Sequence, residues 1–324
     1  MRDVAAEAGV APMTVSYTYT RPSRVALETR ERVLAVAARL GYAGPDPVAR
    51  SLRSGSTGNL GVVLGEHLGY AFEDPQAARF LAGVSAVCVE NQLGLVLIPS
   101  AGDARDAERV REAAVDGFVL WTTVVGDPAL DAVVATGRPA AIQGGPAVAG
   151  IPAITPDDRR AARAIAAEML TGARAPLILS NPLDRHRWAG VSWGQTEDVP
   201  FPVTGSRLAG FRDAMEQTGQ SWETVPVVVA TRNSRDEGRR AVSGALDQYQ
   251  PDVVIAMSDQ LAAGAHDALR GTARVSGWDD SDLASELGFC SIRQSLYDQG
   301  VTCARIAAGL TLDVPSPTWT LTRR

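Results

Sequence analysis

The chain has 324 residues, 45% of them hydrophobic, with no apolar run near the twenty residues a membrane-spanning helix needs, so a soluble protein of two or three domains with no membrane partner is expected. All 31 basic residues are arginine, which excludes a Walker A loop and Schiff-base chemistry. The net charge of -6 is uneven: residues 1–58 hold eight arginines against five acids, +3, which leaves -9 for the remainder.

No secretory leader precedes the first helical stretch, which points to the cytoplasm. Cys88, Cys290 and Cys303 lie far apart without metal-ligand spacing, so reduced thiols are expected rather than a disulfide framework or a zinc site, and no cofactor or metal is implied.

The chain opens on Asp3-Val4-Ala5-Ala6-Glu7-Ala8-Gly9-Val10-Ala11-Pro12-Met13-Thr14-Val15-Ser16. Small and apolar residues at 4, 5, 8, 10 and 15 are spaced to pack one short helix across another, with Gly9 at the turn and Pro12 at the start of the second helix. That is a helix-turn-helix, and it leaves Met13, Thr14, Ser16 and Tyr17 free to enter a major groove. Residues 27–40 predict a third helix with Val33, Leu34, Ala37 and Leu40 as its core stripe and Gly41 as its stop. Ala43-Gly44-Pro45-Asp46-Pro47 breaks the helix, and Val48–Arg53 predicts a further helix too short to persist alone.

After the polar joint 54–58 the texture becomes β/α alternation. Strands are predicted at 60–64, 93–98, 117–121 and 139–143, with helices at 75–89, 104–115 and 128–135 between them. A second set follows, with helices at 159–170, 207–218, 235–249 and 261–269 and strands at 177–180, 225–230, 253–257 and 273–277. Two such halves predict two parallel sheets facing a cleft, whose ligand gathers at the carboxyl ends of the strands. The stretch 181–206, with His186, Trp188, Trp193, Phe201 and three prolines, is long for a connection and is expected to border the cleft mouth and help set ligand choice.

The opening run, Val25–Val33, Leu40-Gly41-Tyr42, Val48-Ala49-Arg50-Ser51-Leu52, Met257–Ala265 and Gly277–Ser281 together resemble the LacI/GalR family of bacterial transcription regulators, over essentially the whole chain. The resemblance implies an all-α helix-turn-helix headpiece (1–44), a hinge helix and linker (45–58), and an α/β periplasmic-binding-protein-like effector and dimerisation domain (59–324). The last would comprise two Rossmann-like subdomains, about 59–156 plus 292–313 and about 157–291 plus 314–324. DNA contacts would fall on Pro12, Met13, Thr14, Ser16, Tyr17, Thr20, Arg24, Thr29 and Tyr42. In the hinge, Leu52 would wedge into a base step while Arg50 and Arg53 meet phosphates. The effector would meet Tyr70, Phe72 and Asp74, then Asn233, Ser258 and Asp279, with Arg207 at the start of its helix and Trp121, Gln143, Trp278 and Gln294 at strand ends. Asp259 reads either as a helix cap or as a ligand contact. The implied partners are a pseudo-palindromic operator, a sugar-like small molecule and a second copy of the chain, a tetramer remaining open. The implied activity is repression without catalysis.

Departures from the family pattern are Ala11 and Ala26, where serine caps are usual, and Tyr17 and Thr20, where arginine and asparagine are usual. The threonine-isoleucine that opens the family's first helix is also missing, which a start codon assigned too late would explain. Gly190-Val191-Ser192-Trp193-Gly194 matches the G-x-S-x-G pattern of hydrolases, with His266 downstream, but Gln195–Pro202 cannot start the helix that a nucleophile elbow needs. A free solute-binding protein, the other alternative, would carry a secretion signal and no headpiece.

Overall fold

The computed structural model describes residues 1–44, 55–65, 69–194 and 198–324. The chain divides into two compact units, Met1–Gly58 and Asn59–Arg324. The hinge segment with Arg50, Leu52 and Arg53 lies outside the described residues.

The first unit contains α1 (Arg2–Glu7), α2 (Pro12–Thr20), a single 3-10 turn (Pro22–Arg24) and α3 (Leu27–Arg39). Val4, Ala5, Ala8 and Val15 close a small core against Val33, Val36 and Ala37. Gly9 turns the chain at φ 65°, a left-handed conformation that costs glycine nothing. Leu34 and Leu40, expected in the stripe, are exposed. Residues 33, 36 and 37 share a face at 100° per residue, which excludes 34, and Leu40 is already the C-cap before Gly41 at φ 64°. Ala11 and Ala26 stand at the N-caps of α2 and α3 with no side-chain cap bond.

In the second unit the first lobe is built on β1 (Asn59–Leu64), α4 (Tyr70–Glu73), α5 (Pro75–Glu90), β2 (Gly94–Pro99), α6 (Ala104–Glu112), β3 (Gly117–Trp121), α7 (Pro128–Thr136) and β4 (Ala140–Gln143). The second is built on α8 (Asp158–Met169), β5 (Pro176–Ser180), β6 (Gly190–Trp193), α9 (Pro202–Gln217), β7 (Pro226–Val229), α10 (Arg235–Ala245), β8 (Val253–Ala256), α11 (Asp259–Leu269), β9 (Arg274–Asp279), α12 (Asp282–Leu287) and β10 (Cys290–Arg293). The chain then returns to the first lobe as α13 (Leu296–Ala307) and ends in the second as β11 (Thr320–Thr322). The sheets run β2-β1-β3-β4 and β11-β10-β9-β8-β5-β7-β6. All pairings are parallel except those of the edge strands β6 and β11. Fully buried runs such as Gly117–Trp121 and Pro176–Ser180 explain why: with helices on both faces, neither face of the strand meets water.

Helix α13 lies so close to α5 that a Cβ on Gly83 would stand 2.1 Å from the Tyr297 carbonyl oxygen, and one on Gly300 2.3 Å from that of Phe80. Ile292 and Arg293 pair with β9 and β11, so they belong to the larger sheet and not to the returning segment in which the sequence placed them. Helix α9 starts at Pro202, five residues before the expected Arg207, because Phe201-Pro202 supplies an extended N-cap followed by proline at the first helical position. The 181–206 stretch is therefore not all loop; it also contributes strand β6. Among the described residues no helix is long and apolar enough to cross a membrane.

Candidate effector cleft and nucleic-acid interface

Helix α2 buries Val15 and Thr18 and turns its other side outward. Pro12, Met13 and Thr20 are exposed, and Thr14, Ser16 and Tyr17 half-exposed. No acid lies on α2, and Arg24 stands exposed just beyond it, so the helix itself carries no charge that repels a phosphate backbone. Thr29 is half-buried on α3. Tyr42 packs edge-on against Tyr19 at 5.9 Å between ring centroids, so its ring also braces the small core.

In the second unit a cavity of about 120 Å³ opens at the carboxyl ends of the strands of both sheets. Of the residues expected to meet an effector, it is lined by Asp74, Trp121, Gln143, Arg207, Asn233, Ser258, Asp279 and Gln294. Asp74 caps α5 by accepting from the Gln76 amide at 2.8 Å, and across the cleft it accepts from Asn233 Nδ2 at 3.0 Å. Asn233 in turn accepts from the Ser258 hydroxyl. Ser258 is the N-cap of α11 through the Leu261 amide. That settles the role of Asp259, which caps nothing of its own helix and does not line the cavity. Its carboxylate accepts from the Ser281 amide at 2.6 Å and the Ser291 hydroxyl at 2.7 Å, bracing α12 and β10.

Arg207 is one and a half turns into α9, not at its start, and is buried. Its Nε bonds Asp158 at 2.8 Å, its Nη1 donates to the Met257 carbonyl at 2.8 Å, and its guanidinium carbon lies 3.8 Å from the centre of the Trp278 ring. Trp278 is thus a fully buried floor under the arginine and not a wall of the cavity, because alternation along β9 turns residue 278 away from the side that Asp279 faces.

Asp279 ends β9 at φ 104°, a conformation rarely tolerated by a residue with a Cβ, followed by Asp280 at 51°. Asp280 anchors that bend: its carboxylate is held by Arg293 at 2.6 Å and Arg324 at 2.7 Å. Burial would push the Asp280 carboxyl up, but those two guanidinium groups and the Thr322 hydroxyl hold it below its ordinary value. Asp279 differs. Burial, then the nearby Asp259 carboxylate, holds its carboxyl well above the ordinary value, against the opposing pull of Arg207 and the Gln294 amide.

Phe72, 68% exposed, is outside the cavity, and Tyr70 opens the short helix α4. The sequence reading missed Thr122, Asn181, Arg187 and Thr204, all of which line the cavity. Thr122 and Asn181 directly follow β3 and β5, so the rule that singles out residues after strands reaches both. Thr122 Oγ1 and Asn181 Oδ1 are buried with no partner among the described residues, so both lining residues keep hydrogen-bonding capacity. Arg187 comes from the 181–206 stretch and donates to the Thr231 carbonyl at 2.6 Å. From the same stretch Arg185 crosses to pair with Asp127, the buried N-cap of α7. Trp193, in contrast, stands on the outer sheet edge against Tyr249, away from the cavity wall. Ser192 lies within edge strand β6 and not at a strand-to-helix turn, where a nucleophile elbow would place it. Among the described residues no group of His, Cys, Asp and Glu is placed to hold a metal.

Residues 1–44 match the family described as bacterial regulatory proteins, lacI family, and residues 73–309 match the periplasmic binding proteins and sugar binding domain of LacI family. The HTH-type transcriptional regulator IpsA of Corynebacterium glutamicum is 36% identical over 88% of this chain and 83% of its own length. The ribose operon repressor of Haemophilus influenzae is 26% identical over 89% of this chain and 83% of its own. A crystal structure of a LacI-family transcriptional regulator from Corynebacterium glutamicum superposes with a TM-score of 0.74 at 28% identity, covering 99% of this chain and 96% of that one. With a headpiece and a cleft domain in the family's order and a relative this similar along most of its length, the chain is a member of the LacI family of bacterial DNA-binding transcriptional regulators.

Proposed function

We propose that the protein is a dimeric repressor that grips a pseudo-palindromic operator with the α2 faces of two headpieces and changes its grip when a small polyhydroxylated, sugar-like molecule fills the cleft. The observation that carries this reading is the convergence of hydrogen-bonding groups from both lobes on one cavity, with Asp279, Asn181 and Thr122 offering acceptors and Arg207 the guanidinium donors that Asp158 and Met257 leave over. Arg207 arrives already paired with Asp158, so the ligand need not supply an anion. The likeness to a ribose operon repressor supports a sugar. In this reading residues 1–44 read DNA, 59–324 sense the effector and dimerise, and 45–58 transmit between them, in the cytoplasm and through binding energy alone. The test is a gel shift with DNA upstream of the protein's own operon, titrated with neutral monosaccharides, D-ribose first. The expected result is a specific complex that one sugar releases or tightens; binding indifferent to duplex sequence and to every sugar would overturn it.

A further inference from the structure

Three glutamine side chains form a continuous chain of hydrogen bonds from one lobe to the other. Gln294 Nε2 donates to Asp279 Oδ1 at 2.8 Å, Gln299 Nε2 donates to Gln294 Oε1 at 3.2 Å, and Gln143 Nε2 donates to Gln299 Oε1 at 3.1 Å. Asp279 ends β9 of the second lobe, Gln294 lies in the crossing segment, Gln299 is on α13, and Gln143 ends β4 of the first lobe. Every amide donates in the direction of Asp279.

That polarity follows from chemistry. A carboxylate can only accept, so it fixes which end of the Gln294 amide faces it. A primary amide donates from one end and accepts at the other, so the orientation of one dictates the next. Gln299 and Gln143 are both buried, and turning one alone would set two like ends against each other away from water. The chain therefore has two self-consistent states. With Asp279 ionised, Gln143 spends its NH2 group on the chain and keeps its carbonyl oxygen for the cavity it lines. With the proton of Asp279 on Oδ1, the oxygen that faces Gln294, the carboxyl O–H donates to Gln294, all three amides turn over, and Gln143 keeps its NH2 group instead.

We propose that Gln299 is a positioning residue of the effector cleft: it couples Asp279 in one lobe to Gln143 in the other, so that the state of the carboxyl decides whether Gln143 offers the ligand an acceptor or a donor. Burial first, then the charges of Asp259 on α11 and Asp74 at the head of α5, favour the proton, while Arg207 on α9, itself tied to Asp158, and the Gln294 amide favour its loss. The consequence for ligand choice rests on the cleft being the effector site. The coupling does not, and it is testable with neither DNA nor ligand.

The experiment follows the Gln side-chain amide resonances of the isotope-labelled full chain by NMR, assigned with Gln143→Leu and Gln294→Leu. Asp279→Asn, which replaces the carboxyl with an amide that can present its NH2 group to Gln294, is expected to shift the resonances of both Gln294 and Gln143. In a Gln299→Met background, which keeps the volume and loses both bonds, it should shift Gln294 alone. A pH titration should give the same pattern, with Gln143 following the Asp279 midpoint only when Gln299 is present. Gln299→Leu, judged folded by its backbone spectrum, is the second variant should Gln299→Met unfold. A Gln143 resonance blind to Asp279→Asn in the parent, or equally responsive once Gln299 is gone, would overturn the proposal, leaving three amides that merely satisfy one another in the core.

Discussion

Asn233 gives its side-chain amide to the Asp74 carboxylate at 3.0 Å, from the second lobe to the first, so two side chains facing the cavity already bridge the cleft they line. Because Asp74 also caps α5, its position is fixed by the first lobe before Asn233 arrives. Asn233→Ala is expected to loosen closure without unfolding either lobe. At about 1–2 kcal/mol for such a charge-assisted bond, the affinity for a sugar that acts in the gel shift should fall roughly 5- to 30-fold. Calorimetric titration of parent and variant measures this.

The Arg207–Asp158 pair predicts a different result, because both partners are buried. Arg207→Ala leaves a buried carboxylate alone, a loss of roughly 3–5 kcal/mol, while Arg207→Met with Asp158→Leu, which removes both charges and fills the space, should recover much of it. Thermal melts check the asymmetry: the single variant should melt several degrees lower than the double. Neither should respond to an effector that the parent recognises.

Asp279 makes stability depend on pH in a stated sense. Its folded-state carboxyl is held above the ordinary carboxylate value, chiefly by burial, so between those two values the native chain binds more protons than the unfolded one. Its contribution is therefore full below the ordinary value and is lost as pH rises towards the raised one. Asp279→Asn has no such loss. The stability of Asp279→Asn relative to the parent, from denaturant melts at a series of pH values, should rise across that window and then level off.

How much of this was legible beforehand follows from what the sequence can carry. Continuous apolar strands such as Val253–Ala256, buried along their length, announce the parallel sheets, and rules for residues after strands find Gln143, Ser258 and Asp279. What the sequence does not carry is which face a residue takes at a strand end. Trp278 and Asp279 are neighbours, yet one is floor and the other wall. Nor does it carry long-range partners. Arg207 looked free to grasp a ligand until Asp158 and Met257 were found to hold it. The Gln299 link could not be foreseen at all, because it joins residues 156 positions apart.

The 181–206 stretch predicts a clasp. Arg185 reaches Asp127, and its side chain lies where a Cβ on Gly102 would stand, 3.1 Å from Arg185 Cδ. Arg185→Met should leave the operator complex intact and weaken the response to an active sugar about 10-fold, in line with the loss of one half-buried charged bond. Trp193→Ala, out on the sheet edge, should change that response little. Dose-response curves in the gel shift compare the two.

The most direct measurement of the central claim is fluorescence anisotropy of the full chain with a labelled duplex from upstream of its own operon, against excess random competitor, at several salt concentrations and with or without the active sugar. The expected result is a preference for the upstream duplex, an affinity that falls steeply as salt rises because the contacts of the arginine-bearing headpiece release counterions, and a change in affinity on adding sugar. Equal affinity for all duplexes, insensitive to both salt and sugar, would contradict it.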